Sequence, residues 1–184
     1  MAGHSHAANV KHKKAANDKK RGKIFSKLIK AISIAARDEA NPQFNPRLRT
    51  AIDTAVENQV PKENIERAIK KAAEPGEELE ELTMEAYGPE GSALIITAIT
   101  DNRNRTVSEV KLILKKQDAK WADPGSVLWA FDHDNEGGWQ AKFPQAITED
   151  GKQKLEALIE ALDDQDDVDD IYVNIDLSVN ELTS

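Results

Sequence analysis

Residues 93–100 read ALIITAIT. Six of these eight side chains are apolar and none is charged. A short, nearly continuous apolar run that follows a glycine-proline turn and precedes polar residues is typical of a buried β-strand. The stretch decides the fold class, because it predicts that this half of the chain is built on a sheet.

The segments after this strand alternate between helical and strand-like periods. The predicted elements are helix 106–116, strand 126–131, strand 139–143, a helix that begins after Thr148, and strand 168–177. The resulting order of strand, helix, strand, strand, helix, strand is that of the ferredoxin-like βαββαβ fold. A candidate strand at residues 83–87 could add one more strand. An α+β domain is therefore predicted over residues 76–184.

Residues 1–75 show the helical period instead. Apolar residues recur at three- and four-residue spacing from Phe25 to Ala36. Asn45-Pro46 begins a second helix, because asparagine supplies a capping side chain and proline fits the first helical position. Pro61 begins a third. This half is predicted to be a small helical bundle with a basic N-terminal arm.

The charge of the chain is strongly divided. Residues 1–75 contain 16 basic and 8 acidic residues, whereas residues 76–184 contain 9 basic and 25 acidic residues. Residues 1–37 alone hold ten of the 25 basic residues and one acid, Asp18. Lysine and arginine bind phosphates by releasing counterions, without regard to base sequence. The first half is therefore predicted to bind a polyanion and the second to repel one.

The composition argues against several classes of protein. The absence of cysteine excludes disulfides and thiolate metal sites. The chain has no P-loop, dinucleotide-binding or nucleophile-elbow motif, and no pattern supports a catalytic triad around His133. No apolar run approaches the ~20 residues that span a bilayer. The N-terminus is rich in lysine, whereas mitochondrial transit peptides are typically rich in arginine.

These absences predict a non-enzymatic, cytoplasmic protein with no membrane partner, no cofactor and no small-molecule substrate. Two clusters suggest metal binding, but each has a simpler interpretation. His4, His6 and His12 lack carboxylate or thiolate partners and are interpreted as polar arm residues. Residues 163–170 contain six aspartates without the glycine and terminal glutamate of a calcium loop, so they are interpreted as a solvated turn.

The loop at residues 100–106, TDNRNRT, is a candidate phosphate or partner site. The helix predicted after it would present free backbone N–H groups and the positive end of its dipole. The polar side chains of the loop are Asn102, Arg103, Asn104 and Arg105, of which the arginines offer planar donors that fit phosphate. In the structural alternative, Asn104 caps the helix and the arginines pair with acids such as Asp101 or Glu109. Residue chemistry alone does not separate the two interpretations.

Several short segments resemble the YebC/PmpR family. They are MAGHS at 1–5, KHKKAA at 11–16, RGKIF at 21–25, NPRLRTAI at 45–52, VPK at 60–62, NIERAIKK at 64–71, the loop at 100–106 and DPGSV at 123–127. These segments keep their order and register along nearly the whole chain. The chain is therefore identified as a member of this family.

The resemblance implies a helical N-terminal domain and α/β domains arranged around a cleft. Bacterial members are described as DNA-binding transcriptional regulators, which makes DNA the implied partner. A mitochondrial relative activates translation of cytochrome oxidase, and other members are placed on ribosomes stalled at proline runs. Ribosomal RNA within the ribosome is therefore the alternative partner.

The chain departs from the family pattern in two places. Family members carry Lys-Trp after His-Ser, whereas this chain has His6 and Ala7. They also carry a further α/β domain ahead of the final strand, helix and strand, whereas a short loop here joins Phe131 to Trp139. Partners that contact the tryptophan or the inserted domain in other members would lack those contacts here.

The candidate nucleic-acid contacts come from the basic arm and from two of the predicted helices. They are His4, Lys11, His12, Lys13, Lys14, Lys19, Lys20, Arg21, Lys23, Lys27, Arg47 and Arg49.

Overall fold

The computed structural model describes residues 18–72, 74, 76, 79–134 and 138–176. These residues divide into two compact units. The helical unit contains the described residues up to Glu81 together with Ile99–Arg103, and the α+β unit contains Leu82–Ala98 and the described residues from Asn104 onward. The predicted α+β class is confirmed. The prediction that residues 1–75 and residues 76–184 are separate domains stays a prediction.

Three helices form the helical unit: α1 (Asp18–Ala36), α2 (Pro46–Glu57) and α3 (Lys62–Ala72). Helix α1 packs against both of the others. Their shared core consists of Ile32, Ala35, Ala36, Leu48, Ala55, Val60, Ile65 and Ala68. Phe25, Leu28 and Ile29 pack against this core, so the predicted apolar stripe of α1 is the face that the helix buries.

Asn45 fixes the turn between α1 and α2. Its Oδ1 accepts a hydrogen bond from the backbone N–H of Leu48 at 2.9 Å, and Pro46 occupies the first turn of α2. Its Nδ2 donates to the carbonyl oxygens of Ala35 at 2.8 Å and Glu39 at 2.7 Å. One buried side chain therefore caps α2 and also binds the end of α1.

A four-stranded sheet and two helices form the centre of the α+β fold. The strands lie in the order β3 (Lys120–Ala122), β1 (Glu80–Tyr87), β2 (Ala93–Thr100) and β6 (Val168–Val173). The helices are α4 (Arg103–Lys116) and α5 (Glu149–Asp163). A separate antiparallel hairpin consists of β4 (Phe131–His133) and β5 (Trp139–Ala141).

Strand β2 is almost continuously apolar because both of its faces are buried. Leu94 and Ile96 belong to a core that contains residues of α4 and α5. Ala93 and Ile95 point to the opposite face, where they pack with a second core that includes Val127 and Phe131. Side chains of a strand alternate between faces, so two cores on either side of one strand require a continuous apolar run.

The strand assignments differ from the prediction in three ways. The segment predicted as strand 126–131 is a turn followed by a short 3-10 helix at Leu128–Ala130, and only its last residue enters β4. The strand predicted at 139–143 pairs with β4 outside the main sheet, so there are two sheets rather than one. In the main sheet their places are taken by β3, which was not predicted, and by β1, which extends the candidate strand at residues 83–87. Because β1 lies between β2 and β3, the split βαβ arrangement is still formed.

Buried Glu85 accounts for the loop that replaces the predicted strand. Its carboxylate accepts hydrogen bonds from the backbone N–H groups of Gly125 at 2.5 Å, Val127 at 2.7 Å and Leu128 at 3.0 Å. Gly125 has a φ of 86°, a conformation that favours glycine. Because these N–H groups point at one carboxylate, the segment cannot use them to pair with a neighbouring strand.

Candidate nucleic-acid interface

The sequence predicts twelve nucleic-acid contacts. Five of them lie outside the described residues and stay predictions: His4, Lys11, His12, Lys13 and Lys14. Lys19 and Lys20 lie in the first turn of α1, which begins at Asp18.

The three predicted contacts further along α1 differ in accessibility. Arg21 is exposed, and its guanidinium carbon lies 5.2 Å from the centre of the Phe25 ring. Lys23 is half-buried, and Lys27 is buried with 9% of its surface exposed. Arg21 can therefore meet a phosphate where it stands, whereas Lys27 would have to leave its present position.

Helix α2 presents Arg47 and Arg49, and both are already engaged. Arg47 forms an ion pair with Glu81, in which both side chains are about half exposed. Arg49 donates from Nε and Nη2 to the carbonyl oxygen of Pro42 and from Nη2 to that of Gln43, at 3.1–3.2 Å. Arg49 thus holds the loop before α2, and a phosphate at Arg47 would compete with a carboxylate.

Helix α3 carries cations that the sequence analysis did not select. Arg67, Lys70 and Lys71 are exposed, and none of them has an ionic partner among the described residues. Lys62, at the start of the same helix, pairs with Glu66 at 3.5 Å. The spacing of residues 67, 70 and 71 could have identified them, because positions three and four apart share one face of a helix.

The loop predicted at residues 100–106 is shorter than expected. The Thr100 hydroxyl accepts a hydrogen bond from the Asn102 N–H at 2.9 Å, and α4 begins at the next residue. Arg103 and Arg105 therefore lie in the first turn of the helix. Asn104 is inside that turn as well, so its predicted role as the helix cap is wrong. Asn102 and Asn104 are exposed.

Arg103 and Arg105 bind different carboxylates. Arg103 pairs with Glu80 at 3.5 Å, and both side chains are largely accessible. Arg105 Nη2 lies 2.8 Å from Oδ2 of Asp167, whose side chain is 2% exposed. The structural alternative named acids such as Asp101 or Glu109, and for Arg105 the structure adds Asp167 to that class of partner. Arg105 compensates a buried charge, whereas Arg103 makes a surface ion pair.

The aspartate-rich segment after α5 is organised by two buried side chains. Asp167 accepts a second hydrogen bond from the Thr106 hydroxyl at 2.7 Å. Oε1 of Gln165 accepts from the backbone N–H groups of Asp167 and Val168, and its Nε2 donates to Glu109 at 2.8 Å. The segment is thus attached to the start of α4. Within the part of the chain that the structure describes, no three acidic or histidine side chains converge on a metal-sized site.

The same segment affects a neighbouring tyrosine. Burial raises the pKa of the Tyr172 hydroxyl far above its ordinary value, and the negative charges of Asp170, Asp169 and Asp134 raise it further. The hydroxyl therefore stays protonated. It lies 3.5 Å from a carboxylate oxygen of Asp170.

Comparison with known proteins gives a consistent family. A family model described as the TACO1/YebC protein N-terminal domain matches residues 5–75, and one described as the TACO1/YebC second and third domain matches residues 79–136.

No helix among the described residues is both long and apolar enough to span a bilayer.

Two curated relatives carry the name probable transcriptional regulatory protein. The relative from Natranaerobius thermophilus is 45% identical over 135 residues, which are 72% of this chain and 54% of that protein. The relative from Geobacter sp. strain M21 is 47% identical over 176 residues, which are 94% of this chain and 69% of that protein. The chain thus spans between about half and about two thirds of the length of these relatives.

A solved structure has the same fold. The crystal structure of a conserved hypothetical protein, Aq1575, from Aquifex aeolicus superposes with a TM-score of 0.81 at 33% sequence identity. The match covers 98% of this chain and 100% of that one. With two family models covering more than half of its residues and a relative of 47% identity, this chain belongs to the TACO1/YebC family.

Proposed function

We propose that this protein is a non-enzymatic regulator of transcription that binds the phosphate backbone of DNA through its helical unit. The observation that carries the proposal is the division of charge, with 16 basic and 8 acidic residues in residues 1–75 against 9 and 25 in the remainder. The names of the relatives support a regulatory role.

The basic residues of 1–37 supply most of the affinity in this proposal, and exposed cations of α3 without an acidic partner add to it. Arg21, Arg67, Lys70 and Lys71 are exposed and can approach phosphates directly. Arg47 contributes once Glu81 is displaced, and Arg49 contributes less because carbonyl oxygens occupy its donors. The predicted lysines of the N-terminal arm add further phosphate contacts. Contacts of this kind give affinity and orientation without reading base sequence.

The proposal is tested with a variant in which Lys13, Lys14, Lys20 and Arg21 are replaced by alanine. Its affinity for duplex DNA of any sequence should fall, and the plot of log affinity against log salt should flatten by about 0.9 for each phosphate that is no longer neutralised. A variant with Lys142, Lys152 and Lys154 replaced by alanine serves as the control on the acidic half. Loss of binding to one sequence alone, with an unchanged salt slope, would contradict a role in backbone binding.

Ribosomal RNA is a second candidate partner, favoured by one observation. The formal charge of residues 76–184 is strongly negative, with 25 acids against 9 bases, so a long duplex that wrapped both halves would be repelled by one of them. Sedimentation of the protein with ribosomes at moderate and high salt, beside DNA binding under the same conditions, separates the candidates. Salt-sensitive cosedimentation without measurable DNA binding would replace DNA by ribosomal RNA in the proposal.

A further inference from the structure

The acidic half of the chain contains a compact group of lysines. Residues 103–120 hold six of the nine basic residues of residues 76–184, together with two acids. Four of the six lie at the C-terminal end of α4 and on β3, and all four are exposed. This α4–β3 lysine cluster consists of Lys111, Lys115, Lys116 and Lys120.

The four clustered lysines have no ionic partners among the described residues, and neither has Lys152, whereas the remaining cations of this half are paired. Arg105, Lys142 and Lys154 lie 2.8, 2.8 and 2.6 Å from the carboxylate oxygens of Asp167, Asp132 and Asp150. Among the residues that the structure describes, no carboxylate forms an ion pair with any of the four clustered lysines. In a half with 25 acids, this absence calls for an explanation.

Stability of the fold explains only part of the cluster. Lys115 and Lys116 lie in the last turn of α4, where positive charge favours the helix dipole. Lys111 and Lys115, however, are four residues apart on one helix face, a spacing at which like charges repel. Lys120 adds a further positive charge from an edge strand. The fold thus retains an unfavourable concentration of positive charge, which a bound anion would neutralise.

The surface between these lysines has a shape and chemistry that suit a nucleic-acid strand. A shallow depression of about 530 Å³ is lined by three of these lysines, by Trp121 and by one acid, Asp118, so positive charge outnumbers negative charge there. The Lys111 Nζ lies 4.6 Å from the centre of the half-buried Trp121 ring. Lysine ammonium groups bind phosphates as mobile point charges, and an aromatic ring beside them adds a surface for a sugar or base.

We propose that the α4–β3 lysine cluster is a second surface of this protein that binds the phosphates of nucleic acid. This inference rests on the proposed function, and it adds a specific contact from the acidic half. The net acidity of that half then confines nucleic acid to one of its surfaces instead of excluding it altogether.

The test compares two double variants of the full chain, K115A/K120A in the cluster and K142A/K154A, which removes two paired lysines outside it. Both remove two positive charges from the acidic half. Each is titrated against labelled duplex DNA, single-stranded DNA and RNA across a range of salt concentrations. For each phosphate that K115A/K120A no longer neutralises, we expect the salt slope to flatten by about 0.9 on a duplex or about 0.7 on a single strand. K142A/K154A should leave the slope near the wild-type value.

Trp121 provides a second readout. In a W129F/W139F background it is the remaining tryptophan, since the chain has three. Its fluorescence should change on addition of nucleic acid and should stop changing when Lys115 and Lys120 are also replaced by glutamine. Thermal melts show whether each variant is folded at the temperature of the titration. If K115A/K120A is not folded there, K115Q/K120Q is used in its place.

The outcomes distinguish this inference from the proposed function. Suppose that K115A/K120A binds with the wild-type slope, while the K13A/K14A/K20A/R21A variant binds weakly. The cluster is then not a phosphate site, and the proposed function stands. If both double variants flatten the slope equally, the effect is one of overall charge and the inference is wrong. Equal competition by polyglutamate would assign the cluster to an acidic protein instead. A wild-type protein that binds none of the nucleic acids overturns both proposals.

Discussion

The cations of helix α3 and two cations of the α+β unit differ in what surrounds them. On α3, Arg67, Lys70 and Lys71 face solvent with no acidic partner among the described residues. In the α+β unit, by contrast, Arg105 and Lys142 each bind a carboxylate. A paired cation must lose its partner before it can bind a phosphate, so the number of lysines and arginines alone does not locate a binding surface. Pairing decides which of them are available, and the α4–β3 lysine cluster stands out for this reason.

Some acidic residues of the α+β unit hold the fold together and others only face solvent. Replacing Glu85 should lower the free energy of unfolding more than any other substitution considered below. Replacement by alanine would leave the N–H groups of Gly125, Val127 and Leu128 without their acceptor. Of these three residues Val127 is buried, Leu128 is half-buried and Gly125 is exposed. A buried donor without an acceptor costs about 1–3 kcal/mol, so with the two partly buried bonds we expect a loss of about 3 kcal/mol in the free energy of unfolding. Urea denaturation followed by circular dichroism measures the change.

Glu156 provides the matched control, because it is an exposed glutamate on α5. E156A should change the free energy of unfolding by no more than about 0.5 kcal/mol, as is usual for exposed sites. If E85A were as stable as E156A, the carboxylate would not hold the loop at residues 123–128, and the explanation for the missing predicted strand would fail.

Arg103 and Arg105 sharpen the comparison within a single helical turn, with smaller effects. Arg105 binds the buried Asp167, so R105A should lower the free energy of unfolding by about 2 kcal/mol, within the range for hydrogen bonds to charged groups. Arg103 pairs with Glu80 at the surface, so R103A should cost no more than about 1 kcal/mol. Thermal melts of the two variants under one condition test the difference.

The lysine variants at the same positions address binding. Lysine keeps the charge but loses the planar, two-point geometry of the guanidinium group. R103K should therefore stay stable, and it lowers nucleic-acid affinity if this turn is a phosphate site. A stable R105K beside a destabilised R103K would reverse the structural roles given to the two arginines.

Sequence patterns were sufficient where the signal was local. The apolar stripe of α1, the Asn45-Pro46 start of α2 and the run at residues 93–100 each depend on neighbouring residues, and each appears as predicted. The class of the fold follows from these elements. The candidate cations on α3 could also have been found, since their spacing places them on one helix face.

The errors came from contacts between residues far apart in the chain. The Glu85 carboxylate bends a segment that starts 40 residues later, and this contact replaces a strand that hydrophobicity alone predicted. Asp167, 62 residues after Arg105, turns one arginine of a candidate phosphate loop into the partner of a buried charge. Strand β3 is three residues long, which is too short for a period to be recognised.

The most direct test of the central claim compares two triple variants within the helical unit. R67A/K70A/K71A removes three cations without ionic partners, and R47A/R49A/K62A removes three that are engaged by Glu81, loop carbonyls and Glu66. The measurement is the salt dependence of binding to duplex DNA, at a temperature where both variants are folded. We predict that the first variant flattens the slope by about 0.9 for each phosphate that it fails to neutralise and that the second stays closer to the wild-type slope. Equal flattening in both, or flattening in the second alone, would contradict the claim that pairing decides which cations bind nucleic acid.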